Sequence, residues 1–91
     1  MSADEVQAAL GRLPDWKLEG DAIRRQFVFD GFASAVAFIV RIGFDAEAAD
    51  HHPDILVSYK RVTLAFTTHD QKGLTAKDFA GAEAADRVFA G

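Results

Sequence analysis

Ala46-Glu47-Ala48-Ala49-Asp50-His51-His52-Pro53-Asp54-Ile55-Leu56-Val57-Ser58-Tyr59-Lys60-Arg61-Val62-Thr63-Leu64-Ala65-Phe66-Thr67 changes its period midway, and that change decides the fold. Pro53 disfavours the helical conformation for His52 and pushes it toward extended geometry. A helix arriving from the N-terminal side therefore stops at or just before the His51-His52 pair. Beyond Pro53, Ile55-Leu56-Val57-Ser58 and Val62 to Thr67 read as two strands around Tyr59-Lys60-Arg61. Val62, Leu64 and Phe66 alternate with Thr63, Ala65 and Thr67, which predicts one covered and one more open face.

Upstream, Gly31 opens a helical pattern that runs to about Ala49. At 100° per residue, Phe32, Val36, Ile39 and Gly43 form one stripe. Phe38 and Ile42 extend the apolar surface on one side, and Val40 and Phe44 on the other. Only Ser34, Arg41 and Asp45 make a narrow polar strip. A helix so apolar needs more cover than one sheet supplies, so one side is expected on the sheet and another against a second subunit. The same projection puts Glu47 and Asp50 on the stripe of Phe32 and Val36, the side expected to be buried.

Before this helix, Trp16-Lys17-Leu18 and Ile23 to Phe29 read as strands joined at Glu19-Gly20-Asp21, a hairpin signal. Arg25 shares the phase of Ile23, Phe27 and Phe29 and is expected to snorkel out at a sheet edge. Ser2 and Glu5 form an S-x-x-E capping box ahead of Val6, Ala9, Leu10 and Leu13, with Gly11 and Pro14 ending that first helix. Thr75-Ala76-Lys77-Asp78 starts a last helix carrying Phe79, Ala82, Ala85 and Phe89. The order is α-β-β-α-β-β-α. Hairpins make antiparallel pairs, so the expected class is α+β: a four-stranded, mainly antiparallel sheet with three helices packed on one face.

Composition bounds the rest. At 91 residues, 49% of them hydrophobic, positions 1–91 are expected to form a single domain that associates with other copies. The chain has no cysteine, which excludes disulfides, thiolate metal sites and a cysteine nucleophile. Met1-Ser2-Ala3-Asp4-Glu5 is acidic where an export signal is basic, and no run is long and apolar enough to cross a membrane. A formal net charge of -4 argues against direct nucleic-acid contact. A cytoplasmic globular protein is the expectation.

All three histidines, His51, His52 and His69, lie in one short region. Histidine is the side chain whose unperturbed pKa, about 6.5, suits it to exchange protons near neutrality. Taken singly, each has an ordinary explanation: His51 and His52 cap a helix end, and His69 ends a strand. Jointly, with Glu47 and Asp50 beside them, they point to acid–base chemistry. A metal site is less favoured, because successive residues of an extended segment point apart and no H-E-x-x-H or facial-triad spacing occurs.

The run Ala46-Glu47-Ala48-Ala49-Asp50-His51-His52-Pro53, then Tyr59, Val62, Leu64 and Thr67-Thr68-His69, then Gly73-Leu74-Thr75, resembles the pterin-4a-carbinolamine dehydratase family. The early Trp16, the Phe27-x-Phe29 strand and the element order agree over nearly the whole chain. The resemblance implies loss of water from a 4a-hydroxytetrahydropterin, giving the quinonoid dihydropterin, in tetrahydrobiopterin recycling. It implies His51, His52 and His69 as catalytic residues, with acid roles for the first and last and a binding or base role for the middle one. Asp78, Glu47, Asp50, Pro53, Thr68 and Trp16 match substrate-binding or supporting positions. Asp78 also sits at the third helical position after Thr75, where capping alone explains an acid and where it orients rather than donates a proton.

The resemblance further implies no metal and no cofactor, the tetrahydropterin derivative being the substrate, and a homodimer or homotetramer built through the central helix. The alternatives are a protein-binding or coactivator module of the same fold, since animal members also stabilise dimers of a homeodomain transcription factor, and a pterin enzyme of molybdopterin metabolism.

Overall fold

Two strands that pair on both sides make the middle of the sheet. The computed structural model describes residues 1–68 and 73–91. Strands β1 (Lys17–Glu19), β2 (Ala22–Val28), β3 (Asp54–Ser58) and β4 (Arg61–Phe66) form one antiparallel sheet in the order β1-β2-β4-β3. Helices α1 (Ala3–Leu10), α2 (Phe32–Ala49) and α3 (Ala76–Ala90) complete the expected order. Both hairpins close with two residues. Glu19 pairs with Ala22 and Gly20 takes φ 62°, a left-handed value that costs glycine little. Ser58 pairs with Arg61, so the second turn is Tyr59-Lys60 and Arg61 already belongs to β4. Because β2 and β3 both run antiparallel to β4, they are parallel to each other, and α2 is the crossover of a split β-α-β unit.

Alternation in the two central strands builds the core. Ile23 and Phe27 of β2 and Val62, Leu64 and Phe66 of β4 are buried on the face that the helices cover. Burying one such side chain fully contributes roughly 1.5–3 kcal/mol. Val6, Ala9 and Leu13 come from the N-terminal segment, Ala35, Phe38 and Ile42 from α2, and Phe79, Ala82 and Ala85 from α3. The α1 capping box forms as expected, and Ser2 holds the Glu5 carboxyl below the usual carboxylate range.

Two expectations fail. The stripe of Phe32 and Val36 is not the buried side of α2. Phe32, Val36, Val40 and Phe44 are all exposed, Phe44 by 73%, while Ala35, Phe38, Ile42 and Ala46 face the core. Small residues at 35 and 46 let the helix approach the sheet closely, a steric preference that an almost wholly apolar helix cannot express in its periodicity. Glu47 and Asp50 accordingly lie on the exposed side. Arg25 does not snorkel out at an edge either. Its strand is central, and its side chain is only 15% exposed. The guanidinium lies 4.3 Å over the Phe27 ring and 5.1 Å from that of Phe89, with Nη1 2.8 Å from Asp86 Oδ1. The same Asp86 oxygen accepts the Trp16 indole N–H at 2.9 Å.

Asp86→Ala leaves two part-buried donors without their acceptor. We expect it to lower unfolding free energy in urea by about 1–3 kcal/mol. Arg24→Ala, which removes only an exposed pair with Glu19, should change it by less than about 0.5 kcal/mol. Equal effects of the two substitutions would contradict the assigned role of Asp86.

Candidate active site

Three chain segments meet at the C-terminal end of α2. The helix ends at Ala49 with Asp50 in the left-handed region, φ 52° and ψ 42°. Its N–H reaches Glu47 O at 3.2 Å and the His51 N–H reaches Ala46 O at 3.1 Å, the bond pair of a Schellman motif. Glycine is the usual residue there. Aspartate is among the few others that adopt this conformation readily. The reversal sends consecutive histidines opposite ways, His51 inward and His52 outward.

His51 is 13% exposed, and its Nε2 lies 2.5 Å from Oδ1 of Asp78, a side chain with no exposed surface. Asp78 sits at the third position of α3 and closes a capping box with Thr75. Its Oδ2 accepts the Thr75 N–H at 2.9 Å and the Thr68 hydroxyl at 2.7 Å. Thr68 Oγ1 is in turn 3.0 Å from Thr75 Oγ1. An ionised carboxylate only accepts hydrogen bonds, so beside one Nε2 carries the proton that faces Asp78, and Nδ1 makes no hydrogen bond among the described residues. The His51 ring also stacks on Phe66, with centroids 6.1 Å apart and planes 18° apart.

His52 makes a second acid pair of opposite character. Its Nε2 lies 2.5 Å from Glu47 Oε1, with side chains 54% and 78% exposed. One dyad is buried and locked by a network; the other is open to water. Beside His51 a hollow of about 150 Å³ lies between α2 and α3, walled by Ile42, Ala46, Phe66, Gly81 and Ala85, with Lys77 among its lining.

The structure thus joins His51, Asp78 and Thr68 in one network, with Glu47 and His52 next to it. Pro53 is half-buried directly after His52, and Asp50 is exposed at the helix end. Trp16 lies elsewhere: it is buried in the core against Phe27 and Phe66, bonded to Asp86, and does not line the hollow. His69 falls outside the described residues. Phe66 and Thr75 also belong to the site, beyond the residues that the resemblance implies. The Thr75-x-x-Asp78 spacing signalled the Thr75 bond, whereas nothing in the alternation with Val62 and Leu64 marked Phe66 as a floor for a histidine.

Residues 1–88 match the family model described as "Pterin 4 alpha carbinolamine dehydratase". The chain belongs to this family. Among curated relatives of the family, a Chloroflexus aurantiacus protein named "Putative pterin-4-alpha-carbinolamine dehydratase" is 50% identical over 89 residues, covering 98% of this chain and 96% of its own. A protein of the same name from Roseiflexus sp. is 47% identical, with the same coverage. The crystal structure of a "transcriptional coactivator/pterin dehydratase from Brucella Melitensis" superposes with a TM-score of 0.92 at 32% identity, over 97% of this chain and 96% of that one. A pterin dehydratase-like RuBisCO assembly factor of the alpha-carboxysome shares the fold, with a TM-score of 0.68 at 17% identity over 81% of this chain and 86% of its own.

Asp78→Asn keeps the shape but turns one oxygen into a donor that meets only donors. We expect a loss of about 1–3 kcal/mol in urea unfolding and loss of the fixed His51 tautomer, read from ring ¹⁵N shifts. Glu47→Gln, at the exposed dyad, should alter stability by at most about 0.5 kcal/mol. An unchanged His51 tautomer in Asp78→Asn would remove the assigned orienting bond.

Proposed function

We propose that this chain is a histidine acid–base hydro-lyase that converts a 4a-hydroxytetrahydropterin into the quinonoid dihydropterin and water, in tetrahydrobiopterin recycling. The observation that carries the reading is the pair of imidazole–carboxylate dyads at the end of α2, His51–Asp78 buried and His52–Glu47 exposed. Family membership supplies the substrate class.

The reaction breaks the C4a–O bond and the N5–H bond and forms C4a=N5. A proton must reach the departing hydroxyl, and another must leave N5. His51, held by Asp78 through Nε2, has Nδ1 as its second ring nitrogen. With a proton there it can act as the acid, and the carboxylate behind the ring balances the charge it carries meanwhile. His52, with water access, accepts the N5 proton. His69 takes the second acid role by the family resemblance. No metal or redox cofactor enters the scheme, since the chemistry is a net loss of water.

Self-association through α2 belongs to the same proposal. Phe32, Val36, Val40 and Phe44 lie four residues apart and form an exposed apolar row, the kind of contiguous patch that marks interaction surfaces. The same row favours a second reading, a protein-binding module, in keeping with the coactivator part of the Brucella protein's name.

Water loss from chemically generated 4a-hydroxytetrahydropterin, followed by its ultraviolet spectrum, tests the activity. His52→Ala and His69→Ala should each lower turnover by about 10²–10⁴-fold. Both variants should keep their fold by circular dichroism, and a chelator should leave wild-type turnover intact. Wild-type rates in both variants would end the acid–base assignment; a chelator loss restored by zinc would favour a metal. Phe44→Glu should reduce the particle to a smaller species in sedimentation velocity, and an unchanged coefficient would exclude this face from assembly.

A further inference from the structure

Gly81 stands in the interior of α3, a position where glycine is a poor helix former. Space explains it. A Cβ at this position would lie 2.5 Å from Cε1 and 2.7 Å from Cζ of Phe66. Those atoms are the edge of a buried ring that Trp16 backs at a centroid distance of 5.9 Å, so they are not the free end of a flexible side chain. The same ring is the one on which His51 stacks.

One hydrogen bond to Asp78 fixes the tautomer of His51 and the position of Nε2, yet it leaves the imidazole free to swing about that atom. The Phe66 ring, near-parallel at 18° with its centroid 6.1 Å away, borders the space of that swing. We propose that Gly81, acting through Phe66, is a positioning residue that sets the ring plane of His51 and hence the direction of its open Nδ1. This inference rests on the dehydratase reading above for its catalytic consequence, though not for its geometry. A methyl group at 81 forces the Phe66 edge back by about 1 Å to reach ordinary contact near 3.5 Å. Phe66 and Gly81 both line the adjoining hollow beside His51. A methyl group at 81 therefore displaces the ring, and with it the plane that lies beside His51.

The test compares Gly81→Ala, Phe66→Leu and the double variant by kcat and KM for carbinolamine dehydration. The His51 ring C–H resonances and their pH titration are followed by NMR in parallel. In Gly81→Ala we expect the His51 resonances and titration midpoint to move and kcat to fall about ten- to a hundredfold, with KM within about twofold. Phe66→Leu should do the same. The double variant should be no worse than Phe66→Leu alone, because leucine leaves space for the methyl group. Wild-type kcat and unmoved His51 resonances in Gly81→Ala would overturn the proposal. If that variant does not fold, the same result in Phe66→Leu overturns it. An inactive wild-type protein would defeat the dehydratase reading, while the NMR comparison would still decide whether Gly81 positions His51.

Discussion

A carboxylate with no exposed surface has lost its water, and each lone pair it cannot fill with a donor costs free energy. Asp78 meets that requirement with three donors from three places: Thr75 at the start of α3, Thr68 just beyond β4, and His51 just beyond α2. Among the described residues, no buried side-chain nitrogen or oxygen lacks a partner. The demand of one acid thus ties together the ends of three elements that are far apart in sequence. It also dictates which imidazole nitrogen is open. Structural necessity and site geometry are here the same set of bonds.

The opposite end of the core uses a comparable device. Asp86, two turns further along α3, accepts from Arg25 and Trp16, and the guanidinium covers Phe27 and Phe89. Between the two acids lies the aromatic layer of Trp16, Phe27, Phe38 and Phe66. α3 is therefore fastened to the sheet by a polar clamp near each end and by apolar packing between them. Such clamps contribute little net stability when intact and a large penalty when halved. They serve to hold α3 in one register, and the register places Asp78 at His51 and Gly81 at Phe66.

Much of this was legible in the residues themselves. Pro53 after a helical period, two-residue turns between alternating runs, and two capping boxes are local signals, and local signals gave the element order and the sheet. The T-x-x-D spacing located Asp78 at a helix start, and the Glu47-to-His52 distance along the chain made their meeting plausible. What periodicity could not decide was rotation. α2 is apolar around most of its circumference, so hydrophobicity alone does not select Ala35, Phe38, Ile42 and Ala46 for the core. Arg25 escapes local pattern for a similar reason. Its fate depends on Asp86, sixty-one residues away. Trp16 sits in the core with its N–H on that same acid, a pairing no local pattern announces.

The two roles of α2 bear on each other. Its inner face holds the core and its last turn carries Glu47 and the Schellman turn at Asp50, which aims His51 and His52. Its outer row of Phe32, Val36, Val40 and Phe44 takes no part in the buried cluster of this chain. One helix therefore carries both the exposed apolar row and the turn that separates the two histidines. On the proposed function, the surface for assembly and the groups for acid–base chemistry share this one element. The two are joined through Ala46, which is buried on the inner face and whose carbonyl accepts the His51 N–H.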